Sequence, residues 1–299
     1  MKNKGTRLRR SVSYHAMVLP MLILYLTFII YPFLSTIFYS FTDYSSWNLF
    51  DYKWVGLKNY LSFIQTKNQV DAIVHTLKYA LIITVIQAIT AVALAVFLNK
   101  KMRTGNALRG IFFFPAVMSP LVVGYLWSFL FSTSYYGPIN NILTSLGLET
   151  INFFGDPDIA LYSIIFTQIW QWTGYNMVIV LANLQTIDRN YYEAAEIDGA
   201  SEWQKFWKIT LPLLYPSMNV VIVTSLIGGL KVYDIIVSTT NGGPFYATTT
   251  IIQSIIGQAI GGGQYGWGAA ISVVFLLIIL AFTKIVMYFM DKWEGAIGG

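Results

Sequence analysis

The sequence predicts an all-α integral membrane protein whose helices cross the bilayer six times. Of its 299 residues, 56% are hydrophobic and only 11% are charged, and the mean hydropathy is +0.57. A soluble domain has about 25% charged residues, so this chain could not cover a water-exposed surface. The chain also contains six long stretches without Asp, Glu, Lys or Arg. Each can supply the roughly 20 apolar residues that a spanning helix needs. A soluble enzyme and a soluble binding module are therefore excluded.

The positions of the spans follow from those uncharged stretches. They are predicted at residues 14–42, 72–99, 108–131, 159–184, 212–237 and 265–290. We expect the first to be an uncleaved anchor, because it is far longer than the apolar region of a signal peptide and no Ala-x-Ala site follows it. The fifth is expected to continue as one helix past Lys231. That places Lys231 and Asp234, three residues apart, on the same helix face.

The distribution of basic residues predicts which side of the membrane each connection occupies. Five Lys and Arg residues lie in the N-terminal tail, residues 1–13, and four more lie between spans two and three. By the positive-inside rule both segments are cytoplasmic, and so is the C-terminal tail at residues 291–299. The connection between spans three and four has no Lys or Arg, so we expect it outside. The basic residues form no stripe interleaved with aromatics, so no nucleic-acid partner is predicted.

The connection between spans four and five, residues 185–213, is more charged and more patterned than a linker. It predicts two short helices joined at Gly199, a residue type that suits a helix C-terminus. Both helices begin with the spacing of a capping box, in which the cap side chain and the third helical residue satisfy each other's backbone N–H groups. The two predicted capping boxes pair Asn190 with Glu193 and Ser201 with Gln204.

The second of these short helices carries an aromatic face. Trp203, Phe206 and Trp207 are separated by offsets of three and four, which places them on one side of a helix. One interpretation is an element that lies on the bilayer surface, with its aromatic rings at headgroup depth. The other is a helix that inserts into a groove of a soluble partner, where aromatic anchors supply the buried area.

The same connection resembles the EAA loop of ABC importer permeases. That pattern is Glu-Ala-Ala, three residues, Gly, nine residues and then Ile-x-Leu-Pro. Here Glu193-Ala194-Ala195, Gly199 and Ile209-Thr210-Leu211-Pro212 fill every fixed position. One departure is Asp188, where the family often has Pro, and an Asp can cap the first helix instead. Residues 181–216, WVGLKNY at residues 54–60 and TNGGP at residues 240–244 are similar to the carbohydrate-uptake branch, so the resemblance covers nearly the whole chain.

The resemblance implies a six-helix permease bundle of the type I ABC importer kind, embedded in the lipid of a bacterial or archaeal cell (inner) membrane. A second homologous permease would pair with it, and a cytoplasmic ATPase dimer would bind ATP and Mg²⁺. An extracytoplasmic solute-binding protein would deliver a carbohydrate, most simply an oligosaccharide. The implied ATPase-coupling residues are Glu193, Ala194, Ala195, Asp198, Gly199, Trp203 and Phe206.

Span four holds a polar and aromatic run that is unusual in the middle of a membrane. A sugar binds through hydrogen-bonding groups and flat aromatic surfaces inside a cavity. By resemblance to sugar permeases, this run and part of span five contact the substrate. The predicted substrate-path residues are Trp170, Gln171, Trp172, Thr173, Gly174, Tyr175, Met177, Gly228, Gly229, Val232 and Tyr233. The alternative is that the glycines permit tight helix packing and that the tryptophans pack between subunits. For Lys231 and Asp234 we favour a structural pair that neutralises itself.

The sequence predicts no catalytic or metal site on this chain. It contains no Gly-x-x-x-x-Gly-Lys-Ser/Thr loop, so we expect a transport subunit without an ATPase site or a cofactor of its own. It has no cysteine, and its two histidines, His15 and His75, are expected at the membrane interfaces. A membrane-embedded enzyme would need a nucleophile and base pair, and none stands out. An ion-coupled secondary transporter would need acids inside its spans, and Asp234 is the only one. An ABC importer for a glycerol phosphate ester remains an alternative.

Overall fold

The computed structural model describes residues 17–100, 102–134 and 137–298, so the predicted N-terminal tail and His15 lie outside the described residues. Helices account for every regular element in these ranges. They are α1 Met17–Tyr39, α2 Lys58–Gln65, α3 Lys67–Leu98, α4 Gly105–Val117, α5 Pro120–Leu130, α6 Pro138–Ser145, α7 Ala160–Leu184, α8 Arg189–Ile197, α9 Glu202–Leu213, α10 Tyr215–Leu230, α11 Asp234–Thr239, α12 Ile251–Gly261 and α13 Tyr265–Gly298. Helix α13 thus continues through most of the predicted C-terminal tail.

The predicted spans coincide with helices, which confirms the all-α class. Helices α1, α3 and α13 are each long and apolar enough to cross a membrane. The pairs α4–α5 and α9–α10 meet the same criterion when each pair is taken together, although they bend by 101° and 65°. Helix α7 has 25 residues. At 1.5 Å per residue it is about 37 Å long, enough to cross, but glutamine, threonine and asparagine side chains make its middle less apolar.

The third span is bent where the sequence predicted one continuous helix. Helix α4 ends at Val117, and α5 begins at Pro120. The ring of a proline clashes with a helical residue before it, and Ser119 accordingly adopts an extended conformation with ψ 138°. The helix therefore stops and restarts in a new direction, which presents the Met118 carbonyl to its neighbours.

The fifth span is also broken, and the prediction that it continues past Lys231 is wrong. Helix α10 ends at Leu230 and α11 begins at Asp234. Tyr233, between them, has φ −146° and ψ −60°, which is not helical. The Val232 carbonyl loses its place in the helical ladder, and the buried hydroxyl of Thr250 donates to it over 3.2 Å. A hydroxyl from a distant segment thus supplies the hydrogen bond that the Val232 carbonyl lacks at the break. Because the helix is interrupted, Lys231 and Asp234 do not share a helix face.

The described chain forms two compact units. One contains the chain through Thr66 together with Ile255–Leu277. Its loops hold each other by backbone hydrogen bonds: the N–H of Ser46 donates to the Gly263 carbonyl over 2.8 Å, and that of Gly266 donates to the Tyr44 carbonyl over 2.7 Å. Within the WVGLKNY segment, Trp54 stacks on the Phe41 ring, with 5.3 Å between the ring centres. The first connection is therefore an ordered structure.

The other unit contains Lys67–Ser254 and the chain from Ile278 onward. In it α3 packs against α7 and α10, and two apolar cores form along these helices. One core includes Ile83, Ile164 and Ile235. The other includes Ala91, Ala95, Met177, Leu181 and Leu214. Between the two cores, α3 carries Gln87 and α7 carries Gln168 and Asn176, and these polar side chains belong to the site described next.

Candidate functional site

A cavity of about 330 Å³ lies among α3, α5, α7, α10 and the break before α11. Its wall combines amides, aromatic rings and hydroxyls with the charged side chains of Lys231 and Asp234, which lie at the break between α10 and α11. The lining residues are Ile83, Gln87, Pro120, Gln168, Trp172, Tyr175, Asn176, Thr224, Ser225, Gly228, Lys231, Val232, Tyr233, Asp234 and Ile235. Such a mixture of flat rings and hydrogen-bonding groups suits a small polar ligand that also has apolar faces.

Three buried polar side chains connect the helices around this cavity. The Asn176 amide nitrogen lies 3.2 Å from the Gln87 carbonyl oxygen and 3.3 Å from the Ser225 hydroxyl, so it donates to both. The Gln87 amide donates to the Gln168 backbone carbonyl over 3.3 Å. Buried polar groups are costly unless they are hydrogen-bonded. This network therefore fixes α3, α7 and α10 relative to one another beside the cavity.

The charges of Lys231 and Asp234 face the cavity without a partner. Both residues are exposed, and among the described residues neither the Lys231 ammonium nor the Asp234 carboxylate has an ion pair or hydrogen bond. The expected neutralising pair is therefore not formed. Each charge lies at a helix end that favours it electrostatically, the lysine after the C-terminus of α10 and the aspartate at the N-terminus of α11. Unpaired charges at membrane depth usually mark a functional site.

The indole ring of Trp172 lines the same cavity. Its ring nitrogen is buried and has no hydrogen-bond partner among the described residues. The ring contacts Tyr175 edge to face, with 5.8 Å between centres. A buried N–H without an acceptor is unfavourable, so a ligand oxygen at this point would gain a hydrogen bond. No cluster of three or more His, Asp or Glu residues that could hold a metal ion occurs in the part of the chain that the structure describes.

The predicted substrate-path residues fall into three groups. Five line the cavity, namely Trp172, Tyr175, Gly228, Val232 and Tyr233. Trp170, Thr173 and Gly174 line a second, more apolar cavity of about 640 Å³ beside α4. Gln171, Met177 and Gly229 are buried in helix packing. Successive residues of a helix point about 100° apart, so one run of α7 cannot face a single cavity throughout.

Two of the glycines are required by close helix contacts. A Cβ on Gly229 would lie 2.7 Å from Ile83 Cδ1 and 2.8 Å from the Ala80 Cα, so α10 meets α3 almost backbone to backbone. A Cβ on Gly174 would collide with the Phe112 carbonyl of α4. Gly228, in contrast, has no atom from another described segment of the chain within 4 Å of its Cβ position, and it lines the cavity. Neighbouring glycines in one motif thus have different functions.

Sequence reasoning missed most of the polar wall. Gln87, Gln168, Thr224 and Ser225 were not predicted as site residues, and the two charges were assigned to each other. A signal was present for Gln87, because it is an amide in the uncharged middle of the second span. No comparable signal marks Thr224 or Ser225, because hydroxyls are common in membrane helices and usually bond to their own backbone.

The connection between α7 and α10 forms the two predicted helices, α8 and α9. Asp188 caps α8 by accepting the Asn190 N–H over 3.0 Å, so the capping role of Asp188 is confirmed and the predicted box of Asn190 with Glu193 is wrong. Gly199 follows α8 with φ +77°, as a helix C-terminus requires. The capping box of Ser201 and Gln204 is confirmed, with both reciprocal hydrogen bonds formed.

The aromatic face of α9 is divided between the protein interior and the solvent. Phe206 is half-buried and packs against the second apolar core, whereas Trp203 is 70% exposed. The Glu193, Ala194, Asp198 and Gly199 side of the connection is also exposed, and Ala195 is half-buried. Exposed aromatic and aliphatic groups beside a carboxylate form a surface that a soluble partner can cover.

Comparison with known proteins identifies the family. A model described as "binding-protein-dependent transport system inner membrane component" matches residues 87–294, which include the cavity lining from Gln87 onward and the α8–α9 connection. The chain belongs to this family. The permease is 33% identical over 269 residues to the trehalose/maltose transport system permease protein MalF of Thermococcus litoralis, with 90% of each chain covered. It is 30% identical over 278 residues to the arabinooligosaccharides transport system permease protein AraP of Bacillus subtilis, covering 92% of this chain and 88% of that one.

The fold of the permease is that of type I ABC importers. The crystal structure of a bacterial ABC transporter involved in the import of the acidic polysaccharide alginate superposes with a TM-score of 0.83 at 23% identity. The match covers 96% of this chain and 98% of that chain. Its family membership makes the protein a transport subunit in the membrane, as its sequence predicted.

Proposed function

We propose that the permease forms half of the translocation path of an ATP-driven importer that takes up a carbohydrate. The observation that carries the proposal is the cavity at the α10–α11 break, where amides, aromatic rings and a buried free indole N–H meet between two apolar cores. A carbohydrate offers many hydroxyls and flat C–H faces, and it would satisfy both kinds of group. The named substrates of MalF and AraP are carbohydrates, which supports the same class.

The proposed partners bind on the two sides of the membrane and beside this chain within it. We propose that a cytoplasmic ATPase dimer holds α8 and α9, a homologous permease completes the path, and an extracytoplasmic binding protein delivers the sugar. The basic tail and the basic connection between α3 and α4 support cytoplasmic termini. ATP and Mg²⁺ then belong to the ATPase, because this chain has no phosphate-binding loop.

Reconstitution tests this assignment. Complexes purified through this chain and placed in proteoliposomes should take up labelled oligosaccharide only with ATP on the α8–α9 side and binding protein on the other. Glu193→Lys should abolish uptake and substrate-stimulated ATPase while the subunits still assemble. Asp291→Lys, a charge reversal at an exposed acid outside the connection, is the control and should retain both. Uptake by the purified chain alone, driven by an ion gradient, would refute the proposal.

Lys231 gives a second candidate, an importer for a phosphate ester. Its ammonium faces the cavity and would attract an anion, but the Asp234 carboxylate lines the same cavity and would repel one. The pair is neutral overall, so the site favours an uncharged polyhydroxylated substrate. Calorimetry on the cognate binding protein distinguishes these candidates, since a neutral oligosaccharide should bind and glycerol phosphate should not.

A further inference from the structure

The α8–α9 connection contains more internal hydrogen bonds and helix caps than a contact surface alone requires. At the end of α8, the Gly199 N–H donates to the Glu196 carbonyl and the Ala200 N–H donates to the Ala195 carbonyl, over 3.1 and 2.9 Å. This paired arrangement closes the helix end. The capping box of Ser201 then starts α9 at once. Only Gly199 and Ala200 separate the two closed ends, so any change in the angle between the helices must occur there.

Two side-chain links cross from α8 to α9. The Lys205 ammonium lies 2.8 Å from a Glu196 carboxylate oxygen, and the hydroxyls of Tyr192 and Thr210 lie 3.0 Å apart. Tyr192 and Glu196 are four residues apart, so they share one face of α8. A hinge held at one point can still rotate, whereas a hinge held at two separate points cannot.

The matching face of α9 depends on a local distortion. Lys205 and Thr210 are five residues apart, which in a regular α-helix would direct them about 140° apart. Residues Phe206–Thr210 instead form a π-helical turn, closed by the Leu211 N–H donating to the Phe206 carbonyl. The Thr210 hydroxyl lies 3.4 Å from the Lys205 carbonyl, which it can use as an acceptor. The turn therefore aligns both anchors of α9, and such turns often mark functional sites.

Lys205 is unusual because its charged side chain is only 7% exposed. The pKa of Lys205 is raised because its ammonium donates hydrogen bonds to two carboxylates, with the larger effect from Glu196 and the smaller from Glu202. Glu202 lies on α9 itself, and its carboxylate oxygen is 2.5 Å from the ammonium nitrogen. The contribution of the ion pair to stability is thus fully present below the ordinary lysine pKa of 10.5 and is lost only as pH rises through the raised value. Glu196 is 62% exposed, and exposed ion pairs add little stability. The distinctive property of the Glu196–Lys205 ion pair is therefore that it links α8 to α9.

We propose that the Glu196–Lys205 and Tyr192–Thr210 links form a two-point brace that makes α8 and α9 one rigid lever. A movement imposed on α8 then reaches α9 and α10 without loss at the Gly199 hinge. The brace residues are positioning residues, because none belongs to the predicted ATPase-contact set. The proposal rests on the function proposed above, since the lever has a purpose only if an ATPase moves it.

A matched pair of variants tests the brace. Glu196→Ala removes the carboxylate that crosses between helices, whereas Glu202→Ala removes one on the same helix as Lys205. Both changes truncate a glutamate to alanine, but Glu202 lies in the first turn of its helix, where an acid is favourable, and Glu196 lies in the last turn of α8. The control is therefore not the milder change for helix stability. In proteoliposomes, the number of sugars imported per ATP hydrolysed should fall about fivefold or more for Glu196→Ala, the usual lower range of an allosteric coupling. Glu202→Ala should match the unmodified complex.

Charge exchange separates a brace from a merely structural role. In the Glu202→Ala background, which lacks the carboxylate that would repel a glutamate at position 205, Glu196→Lys combined with Lys205→Glu keeps the pair in reverse. This exchange should restore most of the import per ATP that each single change loses. Equal import per ATP for Glu196→Ala and the unmodified complex, or no recovery on exchange, would overturn the brace.

A distance measurement decides the brace independently of transport. The chain contains no cysteine, so spin labels can be placed at Tyr191→Cys on α8 and Trp207→Cys on α9 without labelling any other position of this chain. Pulsed electron spin resonance should give a narrow distance distribution for the parent and for Glu202→Ala, and a broad one for Glu196→Ala. Equal widths would refute the brace. Failure of ATP-driven uptake in the unmodified complex, with these widths as expected, would refute the proposed function alone.

Discussion

The α8–α9 connection and the cavity at the α10–α11 break use polar residues in opposite ways. In the connection, Lys205 has two carboxylates within 2.8 Å, and both helix ends are closed by their own caps. In the cavity, Lys231 and Asp234 face open space, and within the described part of the chain the Trp172 N–H has no hydrogen-bond partner. Polar groups that pair with one another in hydrogen bonds and ion pairs form a rigid structure that can transmit force. A set that leaves groups unsatisfied is prepared for a ligand. The comparison therefore assigns force transmission to one region and recognition to the other.

The largest expected effect concerns the helix packing that surrounds the cavity. Gly229→Ala places a methyl group against the Ala80 backbone, so α10 must move away from α3. Overpacking of this kind costs about 1–3 kcal/mol of folding free energy. We expect greatly reduced amounts of assembled protein and a lower thermal midpoint, measured by fluorescence-detected size exclusion. Gly228→Ala, with open space at its Cβ, is the matched control, and equal behaviour of the two variants would contradict the packing contact.

The next largest effect concerns the unpaired charges. Lys231→Met should reduce uptake at saturating binding protein about tenfold or more, equivalent to at least about 1.4 kcal/mol in the transport barrier. Asp234→Asn should act in the same direction. Thermal stability should change little, because in the described ranges neither charge has an ion pair or hydrogen bond to lose, and an exposed charge at a helix end contributes only about 0.3–1 kcal/mol. Lys284→Met, a lysine on α13 that does not line the cavity, serves as the control. Unchanged uptake in Lys231→Met would indicate that the lysine only stabilises the helix end.

A smaller effect is expected from the buried amide network. Asn176→Leu removes the amide that donates to both the Gln87 and the Ser225 side-chain oxygens. Leaving buried acceptors without a donor lowers the free energy of unfolding by about 1–3 kcal/mol. The cavity wall should loosen, and uptake should fall several-fold with a lower thermal midpoint. Asn176→Leu protein with unchanged stability and uptake would show that these three groups are not coupled.

The smallest effect should come from the start of α9. Ser201→Ala removes the hydroxyl that accepts the Gln204 N–H, and loss of such a cap costs about 1 kcal/mol of helix stability. Because the Glu196–Lys205 and Tyr192–Thr210 links remain, we expect import per ATP to change less than about twofold. A loss as large as that of Lys231→Met would show that the cap, rather than the cross-helix links, fixes the connection.

The same two regions differ in how far the sequence could predict them. The connection is determined by local signals, and Gly199, Ser201 with Gln204 and the aromatic spacing of α9 were all interpretable from residue type and offset. The cavity depends on contacts between distant segments. The α10–α11 break uses a hydroxyl from Thr250, and the wall combines Gln87, Asn176 and Ser225 from three helices. Hydrophobic pattern gives the extent of each span but not the rotation of one helix against another.

Labelling of a single cysteine at Thr224 tests the central claim most directly, namely that ATP acting through α8 and α9 opens and closes the cavity. Thr224→Cys would be the only thiol on this chain and lines the cavity. In proteoliposomes that hold the complete transporter, a membrane-impermeant thiol reagent on the binding-protein side should label it faster when ATP and loaded binding protein are present. Disrupting the connection with Glu193→Lys should remove that change. A labelling rate that ignores ATP, or that responds to an ion gradient instead, would contradict the account.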